Sequence, residues 1–210
     1  MHSDESTLPD DPDDLLLVAG YRGDGSLDDV IRRHLRDALA RRRVLALRAA
    51  LRRGLIDDEI WRGALCDDDV DVRREALTLI AGAPIADESL FAVMVDALGD
   101  DDALVVDGAV FALGEHLYAP ALEGLIAVAT SHEDARCRES AIAALGALGD
   151  DRARPAILAA LDDKPAVRRR AIVALSNFEG PDIEAALVRA SEDRDWQVRA
   201  AVDQLGRDED

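Results

Sequence analysis

A chain of 210 residues is long enough for one compact domain or a short repeat array. Hydrophobic residues make up 49% of it but aromatics only 3%, so any core must be built from Ala, Leu, Ile and Val, which form helices well or fill small spaces. The net charge of -19 repels nucleic acid and anionic membranes from the surface as a whole, and no apolar run approaches the length of a membrane-spanning helix.

The N-terminus, Met1-His2-Ser3-Asp4-Glu5, lacks the basic and apolar regions of a signal peptide, and a cytoplasmic protein is expected. Lys164 is the only lysine. A halophilic surface and a GC-rich genome both account for that, and the sequence does not separate them. Cys66 and Cys137 have no metal-type spacing and read as two reduced, buried, Ala-like residues.

In chain order, residues 1–14 (MHSDESTLPDDPDD) read as a disordered acidic tail. Residues 15–54 read as a basic helical cap. Leu15–Ala19 is a short apolar run suited to docking on the first helix. Ser26-x-x-Asp29 has the form of a capping box before a helical stretch that ends at Arg53. The apolar stripe of that stretch loses phase at Arg41-Arg42-Arg43, so one helix and a degenerate hairpin both remain open. Residues 26–54 hold nine Arg against Asp28, Asp29 and Asp37, whereas residues 55–210 carry 34 acidic and 15 basic side chains.

From residue 55 a unit recurs. Its second helix carries a small apolar residue, usually Ala four positions on, and Leu or Ile at eight, or one residue earlier in the last copy. The copies start at Val72, Val105, Cys137, Val167 and Val198, in steps of 33, 32, 30 and 31 residues. Offsets 0, +4 and +8 share one helix face. Asp69, Asp102, Asp134 and Asp195 stand three residues earlier, at N-cap positions. Leu113-Gly114, Leu145-Gly146 and Leu205-Gly206 read as left-handed C-caps. An apolar helix precedes each copy, at 56–65, 87–98, 119–129, 153–161 and 182–190. Acidic turns such as Asp67-Asp68-Asp69 join the pairs. Five hairpins follow, approximately 55–82, 84–116, 119–148, 152–178 and 181–206. Such hairpins bury their apolar faces only by stacking.

The strings of the type D-x-x-V-R-x-x-A-x-x-A-L-G, seen in Asp134–Gly146 and, without the capping Asp, in Val167–Leu175, resemble HEAT repeats of the short phycobilisome-lyase type. The resemblance covers roughly residues 55–206. It implies an all-α, right-handed superhelical solenoid with the second (B) helix of each hairpin lining the inner curve. It is poor for function, because these repeats serve many roles.

The chemistry of known relatives is largely missing. The deoxyhypusine hydroxylase of this repeat class places His-Glu pairs at the starts of B helices. The matching positions here are Arg74-Glu75, Asp107-Gly108, Glu139-Ser140 and Arg169-Arg170. His132-Glu133 occurs once, at the end of an A helix, and one pair does not close a metal site. Nothing marks a tetrapyrrole pocket, and no hydrolase or nucleotide motif is present. His116 stands at a helix end, where it suits the dipole. No metal, organic cofactor or catalytic residue is expected. The recurring Arg73, Arg138, Arg168 and Arg199 read either as an anion-binding ladder or, preferably, as register-fixing partners for acidic turn residues of the neighbouring repeat.

Two features remain for binding. On the B helices, offsets +2 and +6 point away from the core. Phe111, Ala143 and Val173 would form an apolar strip, with Gly108 leaving room beside Phe111, and Arg74, Asp107, Glu139 and Arg169 would form charged rims. The expected function is a scaffold or adaptor holding a protein partner, as an extended peptide or a helix, on this concave face. The alternatives are an enzyme or enzyme subunit of the lyase or hydroxylase type, and an anionic partner or nucleic acid on the basic patch Arg41, Arg42 and Arg43. Nucleic acid is the less expected of these given the net charge. A homo-oligomer is compatible with the sequence, and a membrane partner is not.

Overall fold

The computed structural model describes residues 8–208, and every regular element among them is helical. The chain divides into two compact units, one running to Leu90 and one from Phe91 onward.

In the first unit, α1 (Pro12–Ala19), α2 (Asp28–His34), α3 (Ala40–Arg53), α4 (Asp58–Leu65) and α5 (Val70–Ile80) form two hairpins, α2–α3 and α4–α5, with α1 packed on the first. Helix α1 starts inside the expected tail because the Asp11 carboxylate accepts the amides of Asp13 and Asp14 and Pro12 takes the first helical position. Residues 1–7 of that tail lie outside the described residues. Ala19, Leu27, Ile31, Ala49 and Ala50 make a core cluster, with Leu15 and Leu35 packed against it. The basic segment is therefore a full hairpin. In it Arg42 takes the place of the first small apolar residue, and Ala46 and Ala50 hold offsets +4 and +8, both fully buried. The capping box does not form. Leu27 is the N-cap residue, and Ser26 instead donates its amide and hydroxyl to Asp24, which holds the Asp24 carboxyl below its usual range.

The second unit contains α6 (Ser89–Asp96, most of it in this unit), α7 (Ala103–Glu115), α8 (Leu122–Ser131), α9 (Ala135–Leu148), α10 (Arg154–Ala159), α11 (Pro165–Leu175), α12 (Pro181–Ala190) and α13 (Trp196–Asp208). Even-numbered helices are the A helices and odd-numbered ones the B helices. Single 3-10 turns extend several A helices, as at Ala97–Gly99 and Ala119–Ala121. Asp102 and Asp134 cap α7 and α9 through their carboxylates, and Asp195 accepts the Gln197 amide at the start of α13. Val105, Ala109, Leu113, Cys137, Ala141, Leu145, Val167, Ala171 and Leu175 are all fully buried. The 0/+4/+8 stripe is the core.

Three glycines expected as C-caps do not end their helices. Gly114 and Gly146 lie inside α7 and α9 with ordinary helical torsions, and Gly206 lies inside α13. A Cβ on Gly146 would stand 2.6 Å from the Ala174 Cβ and 2.9 Å from its Cα, and one on Gly114 would stand 3.0 Å from the Ala144 Cβ. These glycines let consecutive B helices approach closely. The helices end instead at Gly149, φ 62°, and, for α7, at Leu117, φ 48°.

Candidate partner-binding surfaces

The turns between A and B helices are tied by a repeated arginine. Arg138 on α9 donates through Nη1 to the carbonyls of His132 and Glu133 in its own turn, and through Nε and Nη2 to both Asp163 oxygens in the next turn, at 2.7 Å each. Arg168 does the same with Asp163 O and the Asp193 carboxylate, at 2.9 and 2.8 Å, and is only 4% exposed. These guanidinium bonds hold the Asp163 and Asp193 carboxyls below their usual range. Arg73 and Arg199 bond their own turns. Arg138 and Arg168 are thus structural partners of neighbouring turns. At Val106 the ladder lacks its arginine, and there the acid of the following turn is replaced by His132, so no carboxylate is left facing an apolar side chain.

The same device accounts for Arg43, which binds the Asp67 carboxylate at 2.8 and 2.6 Å and the Asp37 carbonyl at 2.8 Å. Arg42 bonds Asp13 at 3.0 Å, and Arg41 reaches the same carboxylate at 3.2 Å while remaining largely exposed. Arg41, Arg42 and Arg43 are therefore each ion-paired, to Asp13 or Asp67, because α1 and the α4–α5 turn bring acids to them, and Arg41 keeps most of its side chain open to solvent.

The B-helix surface of the second unit carries the other expected residues. Helices α7, α9 and α11 pack in sequence. Along the +2 row, Asp107 accepts the Ser140 hydroxyl, and Glu139 lies 3.9 Å from Arg169 and 3.5 Å from Arg170. One turn on, Phe111 and Val173 are 54% and 45% exposed, with Ala143 half-buried at the same offset of the helix between them. Gly108 is half-buried one position after Asp107. Arg74 belongs to the first unit, where it pairs with Asp71 at 3.1 Å.

Clefts open on the opposite layer, between consecutive A helices. One of about 1020 Å³ lies between α2 and α4 in the first unit. Arg32, Arg33, Arg36 and Arg62 line it with Leu35 and Ile60. One of about 630 Å³ lies between α6 and α8 beside His132, and one of about 140 Å³ between α10 and α12. The arginines of the first cleft were visible in the sequence only as net charge, since their convergence depends on the spacing of the A helices. Cys66 is exposed at its edge, against expectation, because it lies at the C-cap of α4, beyond the helix's last turn. Cys137 is buried, and burial pushes its thiol up to about 11.

Phe91 stacks on Tyr118 with centroids 4.2 Å apart and meets the His116 ring edge-on. Among the described residues no three His, Cys, Asp or Glu side chains are placed to hold a metal ion, and no described helix is long and apolar enough to cross a membrane.

Residues 122–206, all in the second unit, match the family model for HEAT repeats. This segment is a HEAT-repeat array. No curated protein sequence matches the chain. Among solved structures, the YibA protein of Escherichia coli superposes with TM-score 0.66 at 20% identity, covering 96% of this chain and 74% of that one. The CpcE–CpcF phycocyanin lyase complex from Nostoc sp. gives TM-score 0.64 at 20% identity, covering 72% of this chain and 64% of that one. A designed armadillo repeat protein in complex with a (KR)4 peptide gives 0.58 at 14% identity, covering 95% and 99%. At these identities the likeness is one of fold: the HEAT repeats here share a helical-repeat solenoid architecture with all three.

Proposed function

We propose that this chain is a non-catalytic scaffold or adaptor that holds a peptide or helix of a protein partner on the B-helix face of its second unit. The observation that carries this reading is the row Phe111–Ala143–Val173, apolar and partly open to solvent at one offset of three consecutive B helices. An exposed aromatic and an aliphatic residue on neighbouring ridges are suited to anchor side chains. The second unit holds 24 acidic and 12 basic residues. Its field favours a partner segment with basic flanks and steers encounter more than it adds affinity. The designed armadillo protein, with its bound (KR)4 peptide, shows that a helical-repeat surface accommodates such a segment.

The test is titration of a partner captured from the source cell against single variants. Phe111→Ala is expected to weaken binding by about 2 kcal/mol, and Val173→Asp to weaken it as well, with the melting temperature little changed because both side chains are about half-exposed. Retained binding in both variants, with loss in a triple Ala change at Arg41, Arg42 and Arg43, rules the B-helix face out.

A further inference from the structure

The cleft between α2 and α4 carries charge that the fold does not consume. Of its acids, Asp67 is bound by Arg43, Asp57 caps α4 by accepting the Ile60 amide, and Glu59 lies against Arg36. Of its arginines, Arg62 is held by Asp87 at 2.8 Å and by the Ser89 hydroxyl at 2.7 Å. The Arg36–Glu59 pair is 85% and 82% exposed, and such pairs contribute little and exchange readily. Arg32 and Arg33 are exposed and have no ion pair or side-chain hydrogen bond among the described residues. Two unneutralised guanidinium groups, with a third weakly held, therefore face one cleft in a chain of net charge -19. Beneath them the lining is apolar, with Leu35, Ile60 and Ala64.

The geometry points to this cleft as a binding site for a short acidic peptide segment. A bulky apolar side chain would sit on Leu35 and Ile60, and flanking carboxylates would bridge to Arg32, Arg33 and Arg36. Guanidinium forks match carboxylates bidentately. The volume of about 1020 Å³ suits a few side chains rather than a duplex. At physiological salt the local arginines are felt within about 8 Å, so a short segment experiences them. An extended polyanion also meets the acidic remainder of the surface, which disfavours nucleic acid. The site is separate from the proposed B-helix face, and its failure leaves that reading standing.

The chain supplies its own reporter. Cys66 is exposed at the cleft edge and Cys137 is buried, so thiol alkylation of the folded full chain reads Cys66. Selection of a random peptide display library on the full chain is expected to enrich segments with Asp or Glu on either side of an aliphatic or aromatic residue. A synthetic copy of an enriched peptide is expected to slow Cys66 alkylation, and Arg32→Glu/Arg33→Glu to lower its affinity at least about tenfold. Phe111→Ala should leave that affinity unchanged. The melting temperature of the double variant checks folding, and both positions are exposed and unpaired. Enrichment of non-acidic peptides, unaltered Cys66 reactivity, unchanged affinity in the double variant, or tighter binding of a single-stranded oligonucleotide by the same arginines would each overturn the proposal.

Discussion

The two units use one hairpin plan and leave opposite faces open. In the first, the B helices are bridged across their outer face by Arg48 and Glu75, bidentate at 2.6 Å for both bonds, and the A side carries the large arginine-lined cleft. In the second, the B helices are brought together by Gly114 on Ala144 and Gly146 on Ala174. Their outer face carries the Ser140–Asp107 hydrogen bond and the longer Glu139–Arg170 contact, and leaves Phe111 and Val173 open, while the A-side clefts at α6–α8 and α10–α12 are smaller. The buried stripe is alike in both. What differs is the chemistry at offsets that the core does not constrain, which is where partner choice resides in a repeat protein.

The largest effect expected is on the ladder. Arg168→Ala removes a nearly buried guanidinium that joins two turns and leaves the Asp193 carboxylate without its partner, so a loss of about 3 kcal/mol is expected. Arg48→Ala, with its side chain 46% exposed, should cost about 1 kcal/mol. Chemical denaturation of both variants checks the ordering, and equal costs would mean that the two kinds of bridge are equivalent. Acid titration adds a second reading. Arg168 holds the Asp193 carboxyl below its usual range. The rung's contribution is therefore complete above the unfolded Asp value of about 3.9 and is lost as pH falls through the lower folded value. Arg168→Ala should flatten the stability profile in that acid window and leave the neutral region parallel to wild type.

Next in size is the close approach of the B helices. Gly146→Ala places a methyl against the Cβ and backbone of Ala174 and is expected to cost about 2 kcal/mol. Gly114→Ala, whose new atom meets Ala144 at 3.0 Å and 3.4 Å, should cost less. Gly206→Ala meets nothing within 4 Å and should gain about 1 kcal/mol of helix propensity. Thermal melts of the three variants rank them, and a destabilised Gly206→Ala or a neutral Gly146→Ala would contradict the packing described.

The contrast also marks what the sequence reveals. The stripe at Val105, Ala109 and Leu113 is legible because buried positions demand small or apolar residues at helical spacing. The α2–α3 hairpin hides because Arg42 opens its stripe. Its signature was a different one: Arg43 follows Asp37 by six residues, as Arg73 follows Asp67 and Arg199 follows Asp193. Leu145-Gly146 has the local form of a helix end, yet the reason for that glycine is Ala174 on the next B helix, a contact that no local pattern carries. The row Phe111, Ala143 and Val173 was legible from the same periodicity, as the face opposite the core. The cleft at Arg32 and Arg33 was not, because its walls belong to two A helices in different hairpins.

The smallest effect expected is at the end of α7. There the Leu117 amide donates to Gly114 O at 3.0 Å and the Tyr118 amide to Leu113 O at 3.1 Å. At the end of α3, Gly54 donates to Leu51 O at 3.1 Å and Leu55 to Ala50 O at 2.9 Å. The two caps share one pattern of bonds, and Leu117 performs with a side chain what Gly54 performs without one. A β-carbon at φ 48° crowds the following carbonyl and costs about 1–2 kcal/mol. Leu117 is 57% exposed, so its side chain recovers only part of that. Leu117→Ala keeps the crowding and loses the packing, whereas Leu117→Gly loses the packing and removes the crowding, at the expense of a more flexible unfolded chain. Leu117→Gly should therefore be more stable than Leu117→Ala by about 1 kcal/mol. Denaturant midpoints of the two variants measure the difference directly. A more stable Ala form would mean that α7 ends in solution without the left-handed residue, and the Schellman-type bond from Tyr118 would go with it.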